Sequence, residues 1–233
     1  MCTVTYLPRP QSDFLLTHNR DEKASRGIAQ WPTVLNFSNQ AVLCPVDADA
    51  GGTWIACSHH FTLCLLNGGF EKHISTPPYR HSRGKVIIDF YQYNSVAQFL
   101  SLYDTRQLEP FTLIIIEHEM KVINQCVFDG HAWHHTILDE KQAHIWSSTT
   151  LYTKDTILRR KNQFAVFLKQ EQIEKEDIIA FHTNQHPLTQ HQAILIPQHG
   201  ELRTVSLTAI VKSDRIAMSY YDFIQLNHME IVL

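Results

Sequence analysis

Short alternations of apolar and polar residues, bounded by turn residues, dominate both ends of the chain, and helical spacing dominates stretches of its middle. Residues 2–7 and 14–18 alternate and read as a hairpin around a turn that holds Pro8 and Pro10. Residues 52–57 and 61–66 read as a second hairpin, with its loop at Ser58-His59-His60. Asn67-Gly68-Gly69 then breaks the strand with left-handed turn chemistry. From Gly84 onward Val86, Ile87, Phe90 and Tyr91 recur at helical spacing. A second helix starts with Asn94 or Ser95 as N-cap and buries Val96, Phe99 and Leu100. The apolar run 111–117 predicts a buried strand, followed by strands over 121–128, 132–137 and 143–147. Helices are predicted over 154–168 and 173–182, the first with Ile157, Leu158, Phe164, Ala165 and Leu168 on one face. Strands near 193–196, 201–211 and 215–221 close the chain. Strands first, helices in the middle and strands last predict an α+β fold. Its sheets are mainly antiparallel with helices outside, rather than doubly wound and parallel.

Length and composition narrow this picture. At 233 residues, with no internal repeat or convincing linker, the chain 1–233 reads as one domain. Its hydrophobic fraction of 44% is too high for disorder. A formal charge of −3, from 20 basic and 23 acidic side chains, gives no field to drive nucleic-acid binding. The longest strongly apolar run is far shorter than a membrane span, and the N-terminus has no apolar core of a signal peptide. Five cysteines, an odd number without a C-x-x-C pair, argue against a disulfide framework and a zinc ribbon. Free thiols, no metal site and a cytoplasmic location are the expectation. Cys44, Cys57, Cys64 and Cys126 read as small core residues.

Cys2 stands apart. Initiator methionine is trimmed when the next side chain is small, and trimming would leave Cys2 with a free α-amino group. One residue would then supply a nucleophilic thiol and the base that takes its proton. If Leu7 and Phe14 flank the turn, Cys2 falls opposite Asn19, at a sheet rim that a substrate can reach. Asn19, Arg20, Asp21 and Glu22 then emerge beside it. Arg20 would favour the thiolate and hold a carboxylate. Asp21 would anchor the α-ammonium, Asn19 would donate to a substrate, and Glu22 would cap or pair outside.

Met1-Cys2-Thr3-Val4, a strand, and then His18-Asn19-Arg20-Asp21-Glu22 resemble the NRDE family, also called the transport and Golgi organization protein 2 family. Ala50-Gly51-Gly52-Thr53-Trp54-Ile55-Ala56, Leu65-Leu66-Asn67-Gly68, Ser82-Arg83-Gly84 and Thr204-Val205-Ser206-Leu207-Thr208 extend the resemblance along nearly the whole chain. That family is similar to N-terminal nucleophile hydrolases of the choloylglycine and penicillin V acylase type. The resemblance therefore implies a four-layer αββα sandwich. It also implies Cys2 as nucleophile, Arg20 and Asp21 as its neighbours and Asn67 as oxyanion donor, a group worth about 3 kcal/mol in such enzymes. Thr53 and Trp54 are carried over as ligand-binding candidates. Two positions depart from the acylase pattern. Ser148 follows Trp146-Ser147 where those hydrolases place a second Asn. Val205 stands where an arginine is frequent, with Arg203 two positions earlier as a substitute that strand parity places on the same side.

Three functions follow from the resemblance. The first is haem handling, to which the family has been linked. Cys2 or His18 would be the iron ligand, Arg20 the propionate partner, and haem a transported ligand rather than a required cofactor. The second is an amidohydrolase that cleaves an acyl amide through Cys2. The third is an acyl-chain, lipid or small-molecule binding protein without turnover. The group His131, His134 and His135 near Trp133 reads as decoration of a strand and loop.

Overall fold

The structure is a computed structural model that describes residues 2–10, 13–187, 194–197 and 201–233. It divides into two compact units. One holds the chain up to Arg26 together with Lys141–Val232, and the other holds Gly27–Glu140.

The first unit carries a six-stranded antiparallel sheet. Its strands are β1 (Cys2–Pro8), β2 (Phe14–Lys23), β10 (His144–Ser147), β11 (Leu202–Lys212), β12 (Ile216–Asp222) and β13 (Asn227–Val232), in the order β10-β1-β2-β11-β12-β13. Helices α3 (Lys154–Phe167) and α4 (Lys175–His182) pack on one face. There Phe164, Phe167, Ile178 and Phe181 meet Leu7, Leu15, Leu207 and Ala209. These strand positions have one parity along each strand, as a sheet with one helix-covered face requires. Thr153 caps α3 by accepting from the Thr156 amide, and Glu174 with Asp177 forms a capping box on α4.

The second unit is a seven-stranded antiparallel meander in sequence order: β3 (Gln30–Phe37), β4 (Gln40–Val46), β5 (Ile55–Cys57), β6 (Phe61–Asn67), β7 (Phe111–Glu117), β8 (Val122–Phe128) and β9 (Trp133–Leu138). Helices α1 (Lys85–Phe90) and α2 (Val96–Leu102) pack Val86, Phe90 and Phe99 against Leu63, Leu65, Phe111 and Leu113. Ser95 is the N-cap of α2 and accepts from the Gln98 amide at 3.1 Å.

The antiparallel α+β reading holds, with helices on the sheets. Three strands escaped it. β3 and β4 contain Pro32 and Pro45, which argue against strand. Pro32 falls where the β3–β4 register shifts, between Gln30 and Thr33, on a strand at the sheet edge. A bulged edge is one of the few places in a sheet that tolerates proline. Ser38 and Asn39, both at positive φ, turn the hairpin. β13 is an edge strand whose polar residues weaken its alternation. Conversely, Ile194, Leu195 and Ile196 are not a strand, and Ala193 lies outside the described residues. No helix among the described residues is long and apolar enough to cross a membrane.

Candidate functional site

The β1–β2 hairpin is one residue out of the expected register. β1 runs on through Pro8, which pairs with Phe14, so Cys2 lies opposite Arg20 and Asn19 lies opposite Thr3. The turn is tied by the Arg9 amide to the Asp13 carbonyl at 2.8 Å. A shift of one residue exchanges the two faces of a strand. Cys2 and Val4 therefore share a face with Arg20 and His18, joined from β11 by Ser206 opposite Arg20 and Thr208 opposite His18. Asn19 and Asp21 have the other parity and stand on the helix-covered side. This corrects the expectation that all of Asn19–Glu22 gathers beside the Cys2 side chain.

Asn19 is occupied by α4. Its amide donates to the His182 carbonyl at 2.9 Å, and its side-chain oxygen lies 3.1 Å from His182 Nδ1. Because that oxygen only accepts, Nδ1 carries the proton and Nε2 accepts from the Thr5 hydroxyl at 2.8 Å. Burial, with the nearby Arg160 charge, pulls the His182 pKa down to about 3, so the ring is neutral.

Asp21 is fully buried and held at both oxygens. The Thr204 hydroxyl donates to one at 2.5 Å and the Tyr152 hydroxyl donates to the other. Burial pushes its carboxyl up, while these two hydroxyls and the Arg160 charge oppose the rise. Thr204 is itself fixed, because the Ile196 amide donates to its hydroxyl at 2.8 Å.

Cys2 is 2% exposed, which corrects the expectation of an accessible rim. Burial raises its thiol above the usual range, the Asp21 charge adds to this, and Arg20 opposes it. The Ser148 amide donates to the Cys2 carbonyl at 2.9 Å, and the Ser148 hydroxyl meets Thr150 at 3.0 Å. Ser148 thus fixes the backbone that carries the sulfur. Met1 lies outside the described residues.

His18 is fully buried, and neither ring nitrogen has a hydrogen-bond partner among the described residues. Burial drives its pKa well below the usual imidazole value, so it is neutral. The Thr208 hydroxyl opposite is likewise buried without a partner. Arg20 is 5% exposed, with one guanidinium nitrogen 3.9 Å from Glu22, which is partly exposed.

Arg203 reaches the Arg20 side by a different route from the parity argument. The β2–β11 register shifts between Thr204 and Ser206, which leaves Val205 as an extra residue. Arg203 then pairs with Glu22 while Ser206 pairs with Arg20, so both fall on one face despite their odd and even numbers.

Asn67, Thr53 and Trp54 belong to the second unit. Asn67 ends β6 opposite Phe111, and Gly68 follows at φ 95°, the left-handed turn expected there. Thr53 donates its hydroxyl to the Ile55 carbonyl at 2.9 Å, and Trp54 is buried at 7% exposure. The glycines of two motifs interlock. The Thr53 amide donates to the Gly84 carbonyl at 3.0 Å, and a Cβ on Gly52 would lie 2.6 Å from the Gly84 carbonyl carbon. Gly52 and Gly84 therefore serve backbone packing at the start of α1.

The remaining cysteines are free and buried, with burial pushing Cys44 and Cys126 up to about 12. His134 pairs with Asp129 at 2.6 Å and His135 with Asn124 at 2.7 Å on β9 and its preceding loop. Among the described residues no group of histidine, cysteine and acidic side chains is arranged to hold a metal ion. Sequence reading missed Tyr152, Arg160 and His182, which lie far along the chain from the motif. The alternating hydroxyls Thr204, Ser206 and Thr208 were its nearest signal.

The fold and site define an α+β protein whose first strand opens on a buried thiol beside a guanidinium and an imidazole that is unpartnered among the described residues, with a clamped carboxylate behind. A family model described as transport and Golgi organisation 2 matches residues 1–223, and the chain belongs to that family. No curated protein matches the chain.

Proposed function

We propose that the protein is a haem-handling protein, with His18 as the iron ligand and haem as cargo. One observation carries this reading: a fully buried, neutral imidazole has no hydrogen-bond partner for either ring nitrogen among the described residues, on the same face as Cys2 and Arg20. Buried polar groups are nearly always satisfied, and leaving one unmet costs about 1–3 kcal/mol. A ligand that bonds the ring repays that cost, and neutral imidazole is the form that binds iron. Arg20, two residues on and on the same face, suits a propionate carboxylate. Cys2 is the weaker ligand, because its raised pKa disfavours the thiolate. Loading requires this face to open, which a slow carrier tolerates better than an enzyme that must open at every turnover. Five free thiols fit a reducing compartment, and we place the protein in the cytoplasm.

The test is absorbance titration of the purified chain with ferric haem. A saturable Soret shift at one equivalent is expected, retained in Cys2→Ala and lost in His18→Ala. An unchanged shift in a folded His18→Ala variant overturns the ligand assignment, and no saturable shift in the parent overturns the reading.

A second reading has its own observation. The Asp21 carboxylate, clamped by Thr204 and Tyr152, stands on the face opposite the Cys2 side chain, and its charge raises the Cys2 thiol across the strand. After removal of Met1 it would be placed for an α-ammonium on Cys2, as an N-terminal nucleophile amidohydrolase requires. Hydrolysis of N-acyl amines by the trimmed chain, abolished in Cys2→Ala, would support this reading. No hydrolysis by a chain shown by mass to lack Met1 counts against it.

A further inference from the structure

Arg160 lies on α3, 2% exposed, in a position that neither the motif nor the ligand face explains. A buried guanidinium is costly unless its charge is met. Its contacts are neutral. One terminal nitrogen donates to the Thr3 hydroxyl and the other to the Ile194 carbonyl at 3.2 Å. Its Nε is buried without a hydrogen-bond partner among the described residues. The guanidinium carbon lies 3.8 Å from the centre of the Tyr152 ring. At that distance, in a desolvated site, a cation–π contact is at its strongest. The Tyr152 hydroxyl donates to Asp21, and the Tyr152 amide donates to the Ser148 carbonyl at 3.2 Å. Ser148 in turn grips the Cys2 carbonyl. Each path from Arg160 ends next to Cys2: through Thr3, its chain neighbour, through Tyr152 to Asp21, and through Tyr152 and Ser148 to its carbonyl.

We propose that Arg160 is the positioning residue of the Cys2 site, acting on Asp21 through the Tyr152 ring and on the Cys2 strand through the Thr3 hydroxyl. A cation over the ring face polarises the phenol and makes its O–H a stronger donor to the carboxylate. The same charge favours ionised Asp21 and opposes a proton on His182. Among the described residues, the groups that act on Asp21 include Thr204 from β11, Tyr152 from the segment before α3 and Arg160 from α3, and Asp21 in turn acts on the Cys2 thiol. The inference holds whether the site carries haem or cleaves an amide, and its test uses neither activity.

The experiment is carboxyl carbon NMR of Asp21, titrated with pH in the full chain and in Arg160→Met, Arg160→Lys, Tyr152→Phe and the Arg160→Met/Tyr152→Phe double variant. In Arg160→Met the proton affinity of Asp21 rises about tenfold or more, as expected when a nearby opposite charge is lost. In Arg160→Lys most of the parent midpoint is kept. Tyr152→Phe raises the midpoint, and the double variant shifts by less than the two single changes combined, because one acts through the other. The His182 ring also titrates at higher pH in Arg160→Met; loosened packing would raise it too, so the discriminating sign is that of Asp21, whose midpoint better hydration alone would lower and loss of the cation raises. An unmoved Asp21 midpoint in a folded Arg160→Met chain, or fully additive shifts, overturns the proposal. Should Arg160→Met not fold, Tyr152→Phe decides, since it removes one hydroxyl, and an unchanged Asp21 midpoint there overturns it as well.

Discussion

Replacing Asn19 by alanine removes one side chain and orphans two groups of His182. The Asn19 amide satisfies the His182 carbonyl at 2.9 Å, and its oxygen takes the Nδ1 proton at 3.1 Å. His182 and Asn19 are both fully buried, so water does not replace the lost partner without rearrangement. At about 1–3 kcal/mol for each buried group left unmet, the expected loss is about 2–6 kcal/mol. Against a typical stability of about 5–15 kcal/mol, that is a large share. Urea unfolding followed by far-ultraviolet circular dichroism measures the loss as a fall in midpoint. Since Asn19 has the opposite strand parity to Cys2, a folded Asn19→Ala chain at low temperature is expected to keep the Soret shift that the proposed haem binding predicts. A midpoint unchanged within about 0.5 kcal/mol, the usual effect of an inconsequential surface substitution, would refute the assignment of Asn19 to helix docking. A large loss of haem affinity without a loss of stability would refute it equally.

Three further outcomes are expected. His182, with a folded pKa near 3, and His18, also depressed, bind fewer protons folded than unfolded between those values and about 6.5. Stability therefore falls as pH drops from 7 towards 5, by up to about 1.4 kcal/mol per pH unit for each such histidine. Asp21, whose folded pKa is raised, opposes this trend: its contribution is full below about 3.9 and is lost as pH rises through the folded value. A flat midpoint between pH 7 and 5 would contradict the two neutral histidines. Gly52→Ala places a methyl 2.6 Å from the Gly84 carbonyl carbon and should cost about 1–3 kcal/mol, read as a lowered melting temperature; an unchanged value would show that the close approach is not needed. Iodoacetamide at neutral pH should leave all five buried thiols unlabelled in the native chain and label them in urea, whereas rapid single labelling at Cys2 would show that its burial is not maintained in solution.

The parts of the fold that were legible in the sequence have strong periodicity. β7 was read at its observed bounds because its apolar run is uninterrupted, and the Ser95 cap of α2 was one of the two caps named. β3 and β4 were hidden by Pro32 and Pro45, since local preference argues against what an edge strand permits at Pro32 and what the register shift facing it permits at Pro45. In the site, the proximity of Cys2 and Arg20 could be inferred from one short hairpin, and the face assignment could not. That assignment turned on whether Pro8 joined the strand, a single residue with no periodic signal. Tyr152, Arg160 and His182 escaped because contacts between distant segments leave no trace in local spacing. Arg203 was named from the sequence, but the extra residue Val205, which sets the face it occupies, was not foreseen, because parity arguments assume such a defect away.

The split of the chain into two units has a temporal consequence. Residues 27–140 are contiguous, while the sheet that carries Cys2 joins a strand near the start of the chain to one that ends at Lys212. During synthesis, the intervening segment has all its own strands available long before β11 emerges. Until β11 arrives, β2 has an open edge and α4 lacks Leu207 and Ala209 to pack with. For most of the time the chain is being made, then, the strand that carries Cys2 waits in an unfinished sheet.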